Sequence, residues 1–166
     1  MLKKYIFILC IFVQKAALTQ SALGQWTWQG GNQYNNYYGY YGIKGVSSPS
    51  NSPPSLYEAA EWQDAHGNFW LYGGDGIGTI RDDVWKFDIS TYEWIWVNGS
   101  KGLGSRSPIY GTKSVFSSTS SPGFRMTSYS WVDLNGDFWL YGGYGYDTSG
   151  LSASDAYNDL WKYSPT

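Results

Sequence analysis

The chain is short of the residues from which most catalytic and metal centres are built: it has one cysteine, one histidine and two methionines in 166 residues. The cysteine, Cys10, falls in an N-terminal stretch that reads as an export signal. The exported chain is therefore expected to form no disulfide and to offer no thiolate. Basic residues are also scarce. Loss of Lys3, Lys4 and Lys15 with the signal leaves 8 of 11 basic residues against 13 acidic ones, a formal charge of −5. That balance argues against a nucleic-acid partner. Long apolar runs are missing as well. The run over residues 5–13 has nine apolar positions, whereas a bilayer span needs about 20, so no membrane span is expected in the mature chain.

What the N-terminus does contain is Lys3 and Lys4, this short apolar core, and a polar stretch closing on Ala22, Leu23 and Gly24. Small residues at the last and third-last positions suit signal peptidase, which predicts a signal peptide over residues 1–24 and a secreted, periplasmic or cell-surface protein. Cys10 does not fit a lipid anchor, because bulky Leu9 precedes it and almost no apolar run does. About 140 residues remain, enough for one domain core. Aromatic residues make up 20% of the chain and glycines number 21. Bulky flat side chains combined with tight turns predict an all-β protein.

The ten tryptophans fall into five pairs. Trp26 matches Trp94 and Trp28 matches Trp96 at 68 residues, Trp62 matches Trp131 and Trp70 matches Trp139 at 69, and Trp85 matches Trp161 at 76. The chain is a tandem repeat whose units rely on one another to bury their apolar faces. Each unit carries four strand signals. Residues 57–62 match 126–132. Residues 68–72 match 137–141, where Phe-Trp-Leu-Tyr is apolar on both faces, as in a strand covered on two sides. Residues 83–88 match 159–163 and show period-two alternation. The fourth signal, 93–97, is matched only by the segment around Trp26 and Trp28, ahead of the first unit. Asp64-Ala65-His66-Gly67-Asn68 and Asp133-Leu134-Asn135-Gly136-Asp137 each place a glycine where a hairpin needs positive φ. The second series is too short, and lacks the closing glutamate, for a calcium loop, so no metal or other cofactor is expected.

Gly73-Gly74 followed by Phe87 and Trp94, and Gly142-Gly143 followed by Trp161-Lys162-Tyr163, resemble the kelch repeat. Asp83-Val84-Trp85-Lys86-Phe87-Asp88 and Asn158-Asp159-Leu160-Trp161-Lys162-Tyr163 are similar to its third strand. The resemblance covers nearly all of residues 25–166 and implies a partial kelch-type β-propeller of four-stranded antiparallel blades. Residues 25–97 would hold one fourth strand and the first blade; residues 98–166 would hold a second blade lacking its fourth strand. Trp62, Trp70, Gly73, Gly74, Trp85, Trp94, Trp131, Trp139, Gly142, Gly143 and Trp161 are then scaffold. The units are longer than the usual kelch repeat of about 50 residues, and Arg125 is matched by Leu56. Some secreted kelch propellers resemble copper radical oxidases, which need histidine ligands and a cysteine cross-linked to tyrosine; an exported chain without cysteine does not fit.

Two blades fall short of the four to eight that close a ring. Either further blades belong to a longer array, or the Trp26–Trp28 segment completes the second blade of another copy, head to tail. Other chemistry is thinly represented. His66 sits in a hairpin turn, no Gly-x-Ser-x-Gly elbow occurs, and Gly74-Asp75-Gly76-Ile77-Gly78 opens no helix. The enzymatic alternative is a hydrolase using a carboxylate pair from Asp75, Asp82 and Asp147. Binding is better motivated. Alternating strands place the long loops 29–55, 98–124, 75–82 and 144–158 on one face, and long loops in compact domains are commonly functional. Tyr41-Gly42-x-Lys44 recurs as Tyr110-Gly111-x-Lys113, hence structural. Tyr34, Tyr37, Tyr38, Tyr40, Tyr144, Tyr146 and Asp147 do not recur, and with Asp75 they are the candidate ligand contacts. Tyrosine among Gly, Asn and Ser makes an adaptable recognition surface; the plain alternative is a low-complexity linker draped over a blade edge. The expected function is a non-enzymatic module binding a glycan or a protein, with a structural assembly unit as the alternative. Asn98-Gly99-Ser100 is a glycosylation acceptor in a host that glycosylates exported proteins.

Overall fold

The computed structural model describes residues 24–101, 107–146 and 153–165. The segment expected to be a signal peptide, with Cys10, lies outside the described residues, apart from Gly24 at the expected cleavage point. The chain divides into two units, Met1–Gly30 and Gly31–Thr166. In the first, residues 25–29 carry no strand. Trp26 is fully exposed, and the Trp28 indole N–H donates to the Gly30 carbonyl.

The second unit is all-β, with no helix among the described residues. Its strands in chain order are β1 (Ala60–Gln63), β2 (Phe69–Tyr72), β3 (Asp75–Gly76), β4 (Thr79–Ile80), β5 (Val84–Asp88), β6 (Glu93–Asn98), β7 (Arg125–Met126), β8 (Tyr129–Val132), β9 (Phe138–Tyr141), β10 (Tyr144–Tyr146), β11 (Ala153–Ala156) and β12 (Leu160–Tyr163). β1-β2-β5-β6 form a four-stranded antiparallel sheet, and β8-β9-β12 form a three-stranded one. The two smaller ribbons are β3-β4 and β7-β10-β11. No sheet closes on itself among the described residues, and no helix among them is long and apolar enough to cross a membrane.

Two expectations from the sequence need correction. The first strand signal begins later than its pattern implied, at Ala60 and Tyr129. Glu58 and its counterpart Thr127 adopt left-handed backbone, φ 56° in each, and a left-handed residue ends an extended run. The connections 75–82 and 144–158 are also more than loops. Each carries a β-ribbon, β3-β4 in one and β10-β11 in the other.

The hairpins β1-β2 and β8-β9 are set by one device used twice. The Asp64 carboxylate accepts from the backbone N–H of His66 and Asn68 and from the Trp70 indole, each at 2.9 Å. Asp133 does the same for Asn135, Asp137 and Trp139, the last at 2.9 Å. Each aspartate thus ties the turn to the second strand, and these bonds hold its carboxyl below the usual range; at Asp64 they outweigh burial, which pushes the other way.

The core lies between the two large sheets. Ala60, Trp62, Trp70, Tyr72 and Val84 line one face of the first sheet and pack on Phe138 and Leu140 of the second. Trp62 stacks on Phe138 with ring centres 5.3 Å apart, and Trp70 meets the same ring near-perpendicularly at 5.4 Å. Two polar contacts fix the register: the Trp62 indole donates to the Trp139 carbonyl at 3.0 Å, and the Ser130 hydroxyl donates to the Glu61 carbonyl at 3.1 Å. On its other face the first sheet is covered by Tyr41, packed against Trp85 and Trp96.

The repeats also meet at Gly73-Gly74. The Gly74 N–H donates to the Arg125 carbonyl at 2.9 Å. A Cβ on Gly73, whose φ is 65°, would stand 2.3 Å from that same carbonyl oxygen, so glycine is required by conformation and by space. Gly73→Ala is expected to lose at least about 1–3 kcal/mol, the range for a strained backbone position, measurable by urea denaturation.

Candidate functional site

Of the residues that do not recur between the repeats, Tyr34 and Tyr37 line one hollow and Tyr144 and Tyr146 a second, whereas Tyr38 and Tyr40 line neither. The first, about 210 Å³, is lined by Gly31, Asn32, Tyr34, Tyr37 and residues 52–55. The tyrosine-rich segment is held there by a short ladder rather than draped loosely. The Tyr40 N–H donates to the Ser52 carbonyl at 2.8 Å, Ser52 returns the bond at 2.9 Å, and the Ser55 N–H donates to the Tyr37 carbonyl at 2.8 Å. Tyr37 is half-buried, while Tyr34, Tyr38 and Tyr40 are exposed.

The second hollow, about 190 Å³, is a groove lined by Asp75, Gly78, Thr79, Ile80, Met126, Tyr144 and Tyr146. It joins the two repeats. Asp75 and Tyr144 hold the equivalent place, each directly after a double glycine, and each pairs with the equivalent strand residue: Asp75 with Tyr57, Tyr144 with Met126. The scaffold is the same and the side chains differ. Asp147 lies outside the described residues. The two hollows adjoin, since Ser55 of the first has its carbonyl against Gly76, next to Asp75 of the second.

Met126 lines this groove and Tyr57 borders it through Asp75, although their sequence pattern assigned both to the first strand. The Tyr57 hydroxyl donates to Asp75 Oδ2 at 2.6 Å, and this bond raises its pKa. The phenol therefore keeps its proton. The carboxylate of Asp75 is steered from one side and has acceptor capacity left for a ligand hydroxyl.

The groove wall β7 is positioned by Arg125, whose side chain is wholly buried. Its guanidinium donates to Asp159 through both terminal nitrogens, at 2.7 and 3.0 Å, and also reaches the carbonyls of Gly142 and Pro122. Burial works to raise the Asp159 carboxyl, but bonds from Arg125, Trp161 and Tyr110 outweigh it and hold the group below the usual carboxylate range. Tyr110 stacks on Trp161 at 5.3 Å and donates to Asp159 at 2.8 Å; burial and that carboxylate push its pKa up to about 12.

The first repeat solves the same position differently. With Leu56 in place of the arginine, Asp83 is held by the Tyr41 hydroxyl at 2.6 Å and the Lys101 backbone N–H at 2.9 Å. There burial wins and raises the carboxyl. Asp82 is buried and accepts from the Ser100 N–H and hydroxyl, at 2.9 and 2.7 Å. It anchors the strand end and does not line the groove with Asp75. His66 is exposed in its turn. Asn98 is exposed at the end of β6, with its Oδ1 accepting from the Gly99 N–H at 2.9 Å.

A scan against family models finds no match to this chain, and a search of curated proteins finds none either. Of the scaffold tryptophans, Trp62, Trp70 and Trp85 are buried, and Trp94, Trp139 and Trp161 are half-buried. Trp131 stands exposed.

Proposed function

We propose that the chain is an exported, non-enzymatic binding module, with its two large sheets as neighbouring blades of a kelch-type β-propeller, and that it takes a glycan in the groove beside β3 and β10. The observation that carries this reading is the convergence of Asp75 from one repeat with Met126, Tyr144 and Tyr146 from the other in one groove. Sugar rings present apolar C–H faces and a rim of hydroxyls. Aromatic rings match the faces, and a carboxylate with backbone polar groups matches the rim. At about 190 Å³ the groove is smaller than the ~300–1,000 Å³ of pockets that enclose a drug-sized molecule, which suits one or two residues of a chain lying across the surface.

A second reading, a protein ligand, draws on the exposed Tyr34, Tyr38 and Tyr40 beside Asn32 and Ser52. That mix of rigid rings and small polar groups is the composition of adaptable protein-binding surfaces.

Binding of the purified chain to an oligosaccharide array, followed by calorimetric titration of the best ligand, tests the proposal. Tyr144→Ala and Asp75→Asn are each expected to weaken binding by roughly tenfold, equivalent to about 1.4 kcal/mol, without moving the melting temperature by more than a few degrees. Unchanged affinity in both variants would refute the groove. Loss of binding only on replacing Tyr34, Tyr38 and Tyr40 would move the glycan site to the tyrosine-rich segment, and an array without any ligand would favour the protein reading.

A further inference from the structure

The two sheets expose their equivalent faces unequally. In the first sheet Ala60, Trp62, Tyr72 and Val84 are 3%, 8%, 6% and 9% exposed, because the second sheet covers them. Their counterparts in the second sheet, Tyr129, Trp131, Tyr141 and Leu160, are 75%, 45%, 42% and 54% exposed. On the opposite faces Trp85 is buried and its counterpart Trp161 half-buried, but the pairs at the junction run the other way. Phe138 and Leu140, seated on the first sheet, are buried; their counterparts Phe69 and Leu71 are only half-buried. An exposed aromatic face of this kind marks an interaction site. Here the chain itself shows what fits it, since the covered junction between its sheets is a template for the open one.

We infer that a second copy of this chain docks on the open face of β8-β9-β12 through Phe69 and Phe87, on the part of its first sheet that Tyr41 leaves uncovered, reproducing the internal junction head to tail. Trp131 takes the role of Trp62. In the internal junction Trp62 stacks on Phe138 and donates its indole N–H to the Trp139 carbonyl. At the new junction Trp131 stacks on Phe69 and donates to the Trp70 carbonyl of the incoming copy. Among the described residues the Trp131 N–H has no acceptor within the chain, while its ring already lies flat against Trp139 at 6.0 Å. Trp139 then meets Phe69 and Phe87 as Trp70 meets Phe138 and Tyr163.

The sheet edges agree with this pairing. β5 has β6 on its outer side, whereas its counterpart β12 pairs only with β9 among the described residues. Trp26 and Trp28 lie 68 residues ahead of Trp94 and Trp96 of β6, so the incoming copy brings a segment matched to the unfilled edge. The departure is Glu61, which stands where the internal junction has Ser130. Glu61 is exposed on the edge strand β1, where a long carboxylate reaches water. The contact is heterologous, and such contacts close into rings when their rotation allows. Two sheets per chain and four to eight per ring give about two to four copies.

Sedimentation equilibrium of the purified chain tests the inference, independently of any ligand. The native chain is expected as a discrete oligomer of two to four copies. Trp131→Glu alters an exposed ring and is expected to give a folded monomer, with unchanged far-ultraviolet circular dichroism. Phe69→Glu spoils the other half of the junction and is also expected to be monomeric. Each variant keeps the half that the other lacks, so an equimolar mixture forms a dimer and nothing larger. A native chain that stays monomeric at about 100 µM overturns the inference, as does an oligomer untouched by Trp131→Glu. A mixture that remains monomeric overturns the head-to-tail geometry. If Phe69→Glu fails to fold, the native mass and the Trp131→Glu result still decide.

Discussion

Arg125→Met is expected to destabilise the protein by about 3–5 kcal/mol, the cost of removing one partner from a buried ion pair, and to lower the melting temperature on the order of 10 °C. The guanidinium is wholly buried and serves three acceptors at once: Asp159, the Gly142 carbonyl and the Pro122 carbonyl. Its loss leaves Asp159 largely enclosed with a charge that only Tyr110 and Trp161 address. Arg125→Lys is expected to recover little, because an ammonium cannot reproduce the two-pronged contact at 2.7 and 3.0 Å. The damage should also reach the groove, since Met126 and the β7-β10 pairing follow directly from Arg125.

The same pair gives the native protein an acid limit. The Asp159 pKa is depressed on folding, so the unfolded chain binds its proton more readily. The stability contributed by this group is present in full above the ordinary carboxylate pKa of about 3.9 and is lost as pH falls through the depressed folded value. Asp64 and Asp133 act in the same direction. Asp83 acts oppositely: burial raises its folded pKa, so protonation there relieves a penalty. Melting curves between pH 2 and 6 should therefore flatten in Asp159→Asn and steepen in Asp83→Asn. An identical pH slope in all three proteins would remove the argument.

Trp62→Ala is the second large effect, expected to cost about 3–5 kcal/mol, as for other buried aromatic residues cut back to alanine. Trp62 is stacked on Phe138, and its indole N–H is spent on the Trp139 carbonyl. Trp131→Ala, at the matching place in the other repeat, is expected to cost only about 1 kcal/mol in the isolated monomer, because the ring is largely exposed and its main contact is the stacking on Trp139. Chemical denaturation of the two variants at low protein concentration makes the comparison. At concentrations where copies associate, the gap should narrow, because the docked copy gives Trp131 the environment that Trp62 already has. A gap of the same size at all concentrations would mean that the second sheet's open face gains nothing from a docked copy.

Much of the strand set was legible in the sequence because its signals are local. Alternation in residues 83–88, the doubly apolar Phe-Trp-Leu-Tyr runs and the Asp-x-x-Gly turns each depend on neighbours a few positions away, and all reappear as strands and hairpins. The early strand boundary was misplaced because left-handed backbone at Glu58 and Thr127 carries no glycine to announce it. The ribbons β3-β4 and β10-β11 were hidden because two- to four-residue strands leave no measurable period. The place of Tyr57 beside the groove has no local signal either, since it comes from a 2.6 Å bond to Asp75, eighteen positions away.

The sequence alone determined that two like units exist, that they are β-structured, and which positions differ between them, since repetition and period are properties of the string. It gave matched tryptophans equal standing. Only the tertiary structure decided that Trp62 is covered and Trp131 open, and that Asp75, Met126 and Tyr144 share one groove. The physical reason is that burial and convergence belong to the packing of one sheet on another. A residue's type and its spacing do not say on which side its neighbour stands.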